Sequence, residues 1–512
     1  PVKVPYPVTI SFGDFLPSSA SRQSVRQAVQ VLSANAAAND ATKFKSLGAR
    51  FISNVRSGPF KKIAEDSTGR NLNNFTALCS SSYLAGKLLH LLRSSKIDTE
   101  TRRKHLGIVI PPTCGGLIVN LATSLAGAVP VNINFTAGAN SIASACKQAS
   151  ISTVITVKPL VTKLSLPPEV EVIFLEDLFA NMGKVSLLAS GLLAYFGINR
   201  NLSYKAITAE DTAAILFSSG SSGEPKGIKL SHRNLLANTQ GITEVIIPTE
   251  DTKVLSPLPL FHSFGFTVGV WAPLLFGLKI AFHPNALDPQ GIAEFCQKSK
   301  ATFLLSTPTF LLGLIRKATS ENLASLVGVI VGAEKLQNKI ETAWGEKFSS
   351  KIFEGYGCTE LSPVVSLNIP DVCDGGMTQR GSIAGSIGHP LPGIASRIVS
   401  PETGEVLGAD AEGLLEIYSP ARMIGYLGKD PLPKMSWYNT GDIGAIDESG
   451  FIYIRGRLSR FSKVAGEMVP HEKLEDEIMK AYSLEERCIA ISGKPSERTC
   501  EAIVLIHSIE ID

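Results

Sequence analysis

A run of serine and glycine followed by one lysine is the stretch of this sequence whose residue types point most directly to chemistry. A turn of this composition presents several backbone N–H groups and hydroxyls on one concave surface, and a lysine ammonium adds positive charge. These groups suit a polyphosphate, so the sequence predicts that ATP binds here. The residues are Ser218, Ser219, Gly220, Ser221, Ser222, Gly223 and Lys226.

The same run differs from the Walker loop. The Walker pattern GxxxxGK[ST] places serine or threonine directly after its lysine. Here Lys226 follows Pro225 and precedes Gly227, which disfavours P-loop phosphoryl transfer and indicates another nucleotide chemistry. A flexible glycine-serine linker is the alternative. It is disfavoured because the run lies between an apolar strand pattern, residues 213–217, and Ser231, a residue suited to cap a helix.

A second motif, EGYGCTE, combines an aromatic ring, a hydroxyl and a carboxylate within a glycine-containing turn. Gly355 and Gly357 flank Tyr356, and Thr359 and Glu360 follow. Carboxylate oxygen is a ligand that Mg²⁺ prefers, and Mg²⁺ on phosphates offsets their repulsion of an attacking carboxylate. Glu360 is therefore a candidate ligand of Mg²⁺. The alternative is that Glu360 is a solvated surface charge.

Three further places carry residues suited to a nucleotide or an acid. Gly332, Ala333 and Glu334 end an apolar strand pattern, where small residues let a flat ring approach the edge of a sheet. Asp442 follows a tight turn and suits a ribose diol, with a turn-capping role as the alternative. His262 lies among aromatic residues, and a buried structural histidine is nearly as well supported as a role beside a substrate.

These motifs occur in the order typical of the adenylate-forming superfamily, which includes acyl-CoA synthetases, luciferases and adenylation domains of nonribosomal peptide synthetases. The phosphate run fits the superfamily pattern [ST]SG[ST][ST]GxPKG at nearly every position, and the resemblance covers about residues 61–469. It implies that Tyr356 stacks on adenine, that Thr359 binds phosphate oxygen and that Glu360 holds Mg²⁺. It also implies that Lys226 contacts the β and γ phosphates.

The resemblance extends to the remaining candidates. The loop containing Gly332 is similar to the adenine-side loop, Asp442 matches the ribose-binding aspartate, and His262 stands near the position of the substrate carboxylate. In the hinge-like segment IRGRLSRFSKVAGEMV, Arg457 matches an arginine that contacts ribose. Lys463 lies on the loop that reaches the active site when the small domain turns.

The hinge-like segment is also rich in cations. Ser459 stands where the family has aspartate or lysine, which is a departure from its pattern. The four cations Arg455, Arg457, Arg460 and Lys463 suit an acidic carrier protein or the phosphates of coenzyme A. The alternative is a solvated loop whose charges serve only the nucleotide.

Within the superfamily, the segments GAEKL, EGYGCTELSPVVSLN and RFSKVAGEMV most resemble the acyl-ACP synthetase of bifunctional acyltransferase/acyl-ACP synthetases. The resemblance implies that a long-chain fatty acid is activated with ATP and Mg²⁺ and passed to holo-acyl carrier protein. It also implies phospholipid acyl recycling by a linked or separate lysophospholipid acyltransferase. Phe264, Phe266, Trp271 and Phe310 are the candidate lining of the acid pocket.

Two alternatives to this activity stay open. The first is a long-chain fatty acyl-CoA synthetase, whose acceptor is coenzyme A. The second is a non-catalytic acyl-nucleotide sensor, which is suggested by Ser459 and by the absence of a match to the lysine segment near the end of the family's small domain. The complete set of phosphate, magnesium and ribose motifs disfavours the sensor.

The elements that position these residues alternate between strand and helix patterns, which indicates an α/β protein with parallel sheets covered by helices. The prediction is a large N-terminal domain of two βα-layered subdomains plus a small β-rich subdomain, followed by a small mobile α+β C-terminal domain. The division is an extension or linker at 1–55, a large domain at 56–457 with its β-rich part at about 380–457, and a small domain at 458–512. The hinge is expected near 457–460.

Composition narrows the class of protein further. The 512 residues carry a net charge of only +3, which argues against a dedicated nucleic-acid binder. The eight cysteines include no CxxC pair, and no secretory leader or apolar run of ~20 residues is present, so a cytoplasmic location is expected. Residues 184–202 are crowded with apolar side chains between cations. Core packing is favoured for them, and peripheral contact with the inner face of a membrane is the alternative.

Overall fold

The computed structural model describes residues 10–508 except 94, 181, 200–201, 219–223, 247–248, 375, 465–466, 483, 485–487 and 497–499. The helices of the described part are α1 (Arg22–Ala41), α2 (Leu47–Ser57), α3 (Asn74–Leu91), α4 (Cys114–Leu125), α5 (Ala139–Gln148), α6 (Leu175–Ala180), α7 (Lys184–Tyr195), α8 (His232–Val245), α9 (Ala272–Phe276), α10 (Pro289–Ser299), α11 (Pro308–Lys317), α12 (Asn338–Lys347) and α13 (His471–Ala481). A π-helical turn, Phe264–Trp271, leads directly into α9.

The strands of the described part are β1 (Lys62–Asp66), β2 (Asn71–Asn73), β3 (His105–Val109), β4 (Val129–Asn132), β5 (Thr153–Thr156), β6 (Glu171–Phe174), β7 (Thr212–Ser218), β8 (Lys226–Ser231), β9 (Lys253–Ser256), β10 (Lys279–Phe282), β11 (Phe303–Ser306), β12 (Gly328–Val331), β13 (Lys351–Gly357), β14 (Val364–Leu367), β15 (Val372–Asp374), β16 (Met377–Gln379), β17 (His389–Pro390), β18 (Ala395–Val399), β19 (Gly413–Tyr418), β20 (Gly425–Tyr426), β21 (Tyr438–Ile446), β22 (Ile452–Arg457), β23 (Phe461–Val464), β24 (Glu467–Pro470), β25 (Ile489–Ser496) and β26 (Cys500–His507).

Two large sheets carry most of these strands. One has the order β20-β8-β7-β4-β3-β5-β6, and the other has the order β17-β14-β13-β12-β11-β9-β10-β1-β2. Strands β3 to β6 and β7 pair in parallel in the first sheet, and β1, β10, β9, β11, β12 and β13 pair in parallel in the second. The predicted α/β class with parallel sheets is confirmed.

One apolar core joins the two sheets through α4. Every residue of α4 is buried, and the helix contacts β1 of one sheet and β3 and β4 of the other. Ile63, Ile108 and Leu216 meet in this core. The helix begins where Thr113 accepts a hydrogen bond from the N–H of Gly116 at 3.2 Å, which satisfies one free donor of its first turn. The parallel strands of both sheets are therefore fixed relative to one helix.

Helix α2 belongs to the same core, although the predicted division placed it in the N-terminal extension. Leu47, Phe51, Ile52 and Val55 are each no more than 2% exposed. Their spacing of 3 and 4 residues puts them on one helical face. At least this part of the first 55 residues packs as core.

The apolar pattern of residues 254–261 predicts a strand, but the strand in the structure is shorter. Strand β9 ends at Ser256, and the following residues Leu258, Leu260 and Phe261 are buried in irregular backbone. The reason is that Pro257 and Pro259 cannot donate to a strand ladder.

The core packing predicted for residues 184–202 is wrong for most of α7. Val185 is 81% exposed and Phe196 is 65% exposed. Only Gly191 and Ala194 of this helix are buried. The helix packs on α3 through its small residues, and its large ones face outward.

The C-terminal third is rich in antiparallel strands. A four-stranded sheet has the order β18-β19-β21-β22, and another with the order β24-β23-β26-β25 is accompanied by α13. The pair β15 and β16 forms a separate hairpin. Among the residues that the structure describes, none of the helices is both long and apolar enough to cross a lipid bilayer.

Candidate active site

A cavity of about 760 Å³ lies beyond the carboxyl ends of β12 and β13. In doubly wound α/β folds this edge of a parallel sheet is where ligands bind. The cavity brings together most of the predicted residues from distant parts of the sequence. They are Ser218, Lys226, His262, Gly332, Ala333, Gly355, Tyr356, Gly357, Thr359, Glu360 and Arg457.

The predicted phosphate side of the cavity lies at strands β7 and β8. Ser218 and Lys226 are directly paired across this antiparallel ladder. The predicted residues Ser219, Gly220, Ser221, Ser222 and Gly223 lie outside the described residues. The Lys226 ammonium is 5.9 Å from the centroid of the Tyr426 ring.

Glu360 is held in the cavity wall by two contacts that the sequence did not indicate. The hydroxyl of Tyr426 donates to its carboxylate at 2.9 Å, and the N–H of Met423 donates to its backbone carbonyl at 2.7 Å. Burial, together with the nearby Glu360 charge, raises the pKa of Tyr426 to about 12. Tyr426 therefore stays a donor at neutral pH and fixes one carboxylate oxygen of Glu360.

Thr359 begins a short 3₁₀ turn directly after β13. Its hydroxyl lies 3.1 Å from that of Ser263, a cavity residue that precedes the π-helical turn and was not predicted. The tight return of the chain depends on Gly357, because an added Cβ there would lie 1.9 Å from the carbonyl oxygen of Pro363. The glycine thus sets the position of Thr359.

Asp442 lies behind the cavity wall rather than in it. It is 4% exposed, its carboxylate accepts from the hydroxyl of Tyr356, and Nε of Arg457 is 3.1 Å away. Asp442 and Arg457 are register partners on β21 and β22, which explains why they meet. Burial raises the pKa of the Asp442 carboxyl, and the Tyr356 hydrogen bond and the Arg457 charge oppose that rise. Its ribose role stays a prediction.

The predicted adenine side is formed by the loop after β12. Gly332 and Ala333 line the cavity, and Ala333 has a φ of 70°, a backbone conformation that residues other than glycine adopt at a cost. Glu334 is not among the cavity residues. Its carboxylate accepts instead from the N–H and hydroxyl of Thr309 on α11, at 3.2 and 2.6 Å.

Glu354, in the same motif as Tyr356, fixes the far end of this loop. It lies on β13, is 9% exposed, and accepts from the N–H of Leu336 at 2.9 Å. Burial raises the pKa of this carboxyl to about 7, although the Leu336 hydrogen bond opposes the rise. Sequence reasoning gave Glu354 no role. Its only signal was a charged residue within an apolar strand pattern.

His262 lines the cavity with its side chain exposed to it, beside the ring of Phe261 at 5.2 Å between centroids. Partial removal from water lowers the pKa of the imidazole below its ordinary value. The side chain is therefore neutral at physiological pH. A neutral imidazole beside a cavity suits a hydrogen bond to a carboxylate better than a fixed ion pair.

Most of the positive charges of the hinge-like segment are paired with carboxylates of the same chain. Arg455 pairs with Glu412 at 2.9 Å, Arg457 pairs with Asp442, and Arg460 pairs with the buried Glu475. The backbone of Lys463 pairs with Met468 between β23 and β24, and its side chain lies outside the described part of the structure. Each of these three arginines thus has a carboxylate partner within the chain.

Part of the cavity lining is apolar, and this part is called the apolar end below. Ile242, Ile246, Val268 and Ile330 line it and also line a small second void of about 20 Å³. Phe264 lines the cavity as predicted.

The other three residues of the predicted acid pocket lie elsewhere. Phe266 and Trp271 are fully buried in the core around α4. Both lie in the π-helical turn, which changes which residues share a face. Phe310 lies on α11 and packs against a separate core that includes Ile330 and Phe353.

The sequence and the fold were compared with known proteins. The model of the family described as AMP-binding enzyme matches residues 87–427. A probable 4-coumarate–CoA ligase 3 of Dictyostelium discoideum is 30% identical over 344 residues, covering 63% of this chain and 60% of that protein. A long-chain-fatty-acid–CoA ligase of Salmonella typhimurium is 30% identical over 308 residues, covering 58% of this chain and 53% of that protein. The chain thus spans between about half and three fifths of the length of these relatives.

Solved structures show the same fold. The ATP-bound MatB from Rhodopseudomonas palustris superposes with a TM-score of 0.72 at 24% identity, covering 91% of this chain and 90% of that one. The O-succinylbenzoate coenzyme A synthetase MenE from Bacillus subtilis, in complex with ATP and a magnesium ion, gives a TM-score of 0.72 at 17% identity, covering 90% of each chain. Likeness at this identity concerns the fold alone.

Proposed function

The chain belongs to the AMP-binding enzyme family, and from that premise we propose that it activates a carboxylic acid with ATP and passes the acyl group to a thiol. The acid oxygen attacks the α-phosphorus of ATP, pyrophosphate leaves, and the resulting acyl-adenylate is then attacked by the thiol with release of AMP. The observation that carries the proposal is a single cavity whose lining includes Lys226, Thr359 and Glu360 as well as apolar side chains.

The cofactors are ATP and Mg²⁺. Mg²⁺ is commonly held by one or two carboxylates together with substrate phosphates. Glu360, oriented by Tyr426, is such a carboxylate. Among the described residues no group of three or more His, Cys, Asp or Glu side chains is placed to hold a metal. Lys226 and the turn before it hold the β and γ phosphates in this proposal.

The acid is a long-chain fatty acid. The apolar end of the cavity suits a hydrocarbon tail, and each buried methylene contributes about 0.8 kcal/mol to binding. The name of the Salmonella relative, a long-chain-fatty-acid–CoA ligase, agrees with this substrate class. His262 lies on the cavity wall, where its neutral imidazole would hydrogen-bond to the substrate carboxylate.

The acceptor that we propose is a phosphopantetheine thiol carried by acyl carrier protein. The similarity of the motifs to acyl-ACP synthetases supports the carrier, and a linked or separate lysophospholipid acyltransferase would consume its product. Coenzyme A, which bears the same phosphopantetheine arm, is the second candidate. It is favoured by the names of the relatives, which are CoA ligases, and by the pairing of Arg455 and Arg460 with carboxylates of the chain.

The experiment is thioester formation from labelled palmitate, ATP and Mg²⁺, with holo-acyl carrier protein and coenzyme A in parallel reactions. Label on the carrier supports the carrier proposal, and label on coenzyme A alone selects the second candidate. If neither thiol is loaded and no acyl-adenylate forms, the catalytic proposal fails and a nucleotide sensor is favoured.

A variant, Lys226→Ala, tests the phosphate end directly. Loss of a positive charge at a developing negative charge lowers a rate by about 10²–10³. We expect pyrophosphate release to fall by that factor. Lys429→Ala is the matched control, since its ammonium lies 5.9 Å from the same Tyr426 ring but is not among the residues that line the cavity. Unchanged pyrophosphate release in Lys226→Ala would remove the role proposed for this lysine.

A further inference from the structure

Helix α7 presents its large apolar side chains to the outside. Val185, Leu188, Leu192 and Phe196 are 81, 49, 40 and 65% exposed. Their spacing of 3, 4 and 4 residues places them on one helical face. Ile198, three residues after the end of α7, is 62% exposed. This arrangement is the reverse of an ordinary surface helix, which turns its large apolar residues toward the core.

The exposure is fixed by the packing on the opposite side of α7. A Cβ added to Gly191 would lie 2.1 Å from Sγ of Cys79 on α3, so only glycine allows the two helices to approach this closely. Ala194, three residues on, is also buried. Because only small residues fit against α3, rotation of α7 cannot bury its leucines. The outward apolar face is therefore a stable feature of the fold.

A row of aromatic rings extends this face toward the turn before β1. Centroid distances are 6.4 Å from Phe60 to Phe75, 6.4 Å from Phe75 to Tyr195 and 5.3 Å from Tyr195 to Phe196. Phe60 is 77% exposed. The term α7 face is used below for Phe60, Val185, Leu188, Leu192, Phe196 and Ile198. These residues come from two separate parts of the chain, so the face is wider than one helix.

The sequence segments that form the α7 face and the helices beneath it contain positive but no negative side chains. Residues 41–64, 67–97 and 178–209, which contain α2, α3 and α7, include no aspartate or glutamate. Nε of Arg56 donates to the carbonyl of Tyr195 at 2.8 Å, and Nζ of Lys205 donates to that of Gly197. Both cations thus lie at the end of α7 beside Phe196. Lys184 is exposed at its beginning, and Lys61 and Lys62 follow Phe60.

We propose that the α7 face binds the surface of an anionic lipid bilayer. The apolar side chains would enter the boundary between headgroups and acyl chains, and the flanking cations would contact lipid phosphates. The contact is shallow, since one helical face and one turn enter the lipid. The proposal rests on the exposed side chains and on the charge around them, and it stands whether or not the catalytic proposal holds.

A second copy of the chain is a poorer occupant of the same face. A twofold dimer places the same patch of both subunits in contact. Such a dimer would bring two sets of cations together without any carboxylate from these segments to neutralise them. An anionic membrane supplies the opposite charge.

The test is flotation of the full chain with vesicles of phosphatidylcholine, or of an equimolar mixture of phosphatidylcholine and phosphatidylglycerol. The face variant is Leu188→Ser with Leu192→Ser and Phe196→Ser. The control variant is Leu287→Ser with Val327→Ser and Val406→Ser, which removes apolar side chains that are 76, 60 and 49% exposed elsewhere. We expect the unmodified chain to float with anionic vesicles. The face variant should partition at least about tenfold less, and the control should be unchanged.

The charges are tested separately with Lys184→Gln combined with Lys205→Gln. Each cation near an anionic surface strengthens binding about fivefold, so partition onto anionic vesicles should fall by more than about tenfold, with no change on phosphatidylcholine alone. Circular dichroism verifies that each variant is folded. Absence of flotation by the unmodified chain, or equal flotation of the face variant, overturns the proposal. A lipid-free dimer that sedimentation shows to be abolished by the face variant would assign the face to a second copy instead.

Discussion

At the scale of single residues, the orientation of Glu360 depends on a neutral partner, the hydroxyl of Tyr426. Glu360 was predicted from its motif, whereas the tyrosine that orients it comes from β20, 66 residues later in the sequence. The sequence around Tyr426 contains no motif that would have predicted this contact. Sequence reasoning found most of the residues that line the cavity and missed Tyr426, Ser263 and Glu354, whose contacts depend on a neighbour brought close by folding.

Tyr426→Phe should weaken the binding of Mg²⁺ without altering the binding of the fatty acid. Loss of one hydrogen bond to a charged acceptor costs about 1.5 kcal/mol or more, so the Mg²⁺ concentration for half-maximal adenylation should rise about tenfold. KM for the fatty acid should change less than about twofold. The control is Tyr418→Phe, whose hydroxyl donates to Asn35 at 2.9 Å and which is not among the residues that line the cavity. A Mg²⁺ titration identical to that of the unmodified chain would show that Tyr426 does not position the ligand.

Glu354 should make the stability of the fold fall with rising pH. Its folded-state pKa of about 7 lies above the ordinary 4.5, so the folded chain binds its proton more tightly than the unfolded chain does. The resulting stability is complete below about pH 4.5 and is lost as the pH rises to about 7. Glu354→Gln should therefore gain about 2–3 kcal/mol relative to the unmodified chain between these limits.

The measurement is thermal unfolding of both proteins across that pH range. Gln keeps an oxygen that accepts from the N–H of Leu336, so the loop contact is preserved. Glu346→Gln, at an exposed position on α12, should show a constant difference from the unmodified chain. A constant difference for Glu354→Gln as well would mean that Glu354 titrates normally.

At the scale of elements, the regular strands were predicted well and the irregular segments were not. The four β-branched residues Thr153–Thr156 predict a strand, and β5 has these bounds. The π-helical turn Phe264–Trp271 gave no recognisable pattern. Its spacing depends on how the segment packs between β9, α8 and α9, which the local sequence does not encode.

The contact between α3 and α7 should tolerate no enlargement at Gly191. We expect Gly191→Ala to lower the free energy of unfolding by about 1–3 kcal/mol, because the new methyl overlaps Cys79. Gly86→Ala on α3 is the matched control, since nothing lies within 4 Å of a Cβ there. It should be neutral or stabilising by up to about 1 kcal/mol. Equal urea midpoints for the two variants would contradict the close contact.

At the scale of the whole molecule, the class of fold was predictable and the arrangement of its strands was not. Alternating strand and helix patterns indicate parallel sheets, yet β1 pairs with β10, more than 200 residues later. Such long-range pairing is decided by the combined core around α4, and no local pattern records it. The same holds for the predicted boundary near residue 56, because the local sequence of α2 does not show that the helix packs in the core around α4.

Truncation should distinguish the two parts of the N-terminal segment. Residues 10–19 are exposed, so removing everything before Ser21 should change stability by less than about 0.5 kcal/mol. Removing everything before Gly58 deletes four fully buried side chains of α2, each contributing about 1.5–3 kcal/mol. That loss is comparable with the whole stability of a typical domain, so this shorter chain should not fold. A cooperative urea transition for it would place α2 outside the core.

The arrangement of β20 beside β8 has a mechanical consequence. Tyr426, which holds Glu360, is the register partner of Ile228, two residues along β8 from Lys226. Lys226 and the tyrosine that holds Glu360 therefore belong to neighbouring strands of one sheet. A displacement of that sheet as a rigid body would carry both side chains together, so the distance from the ammonium to the hydroxyl that binds Glu360 would change little.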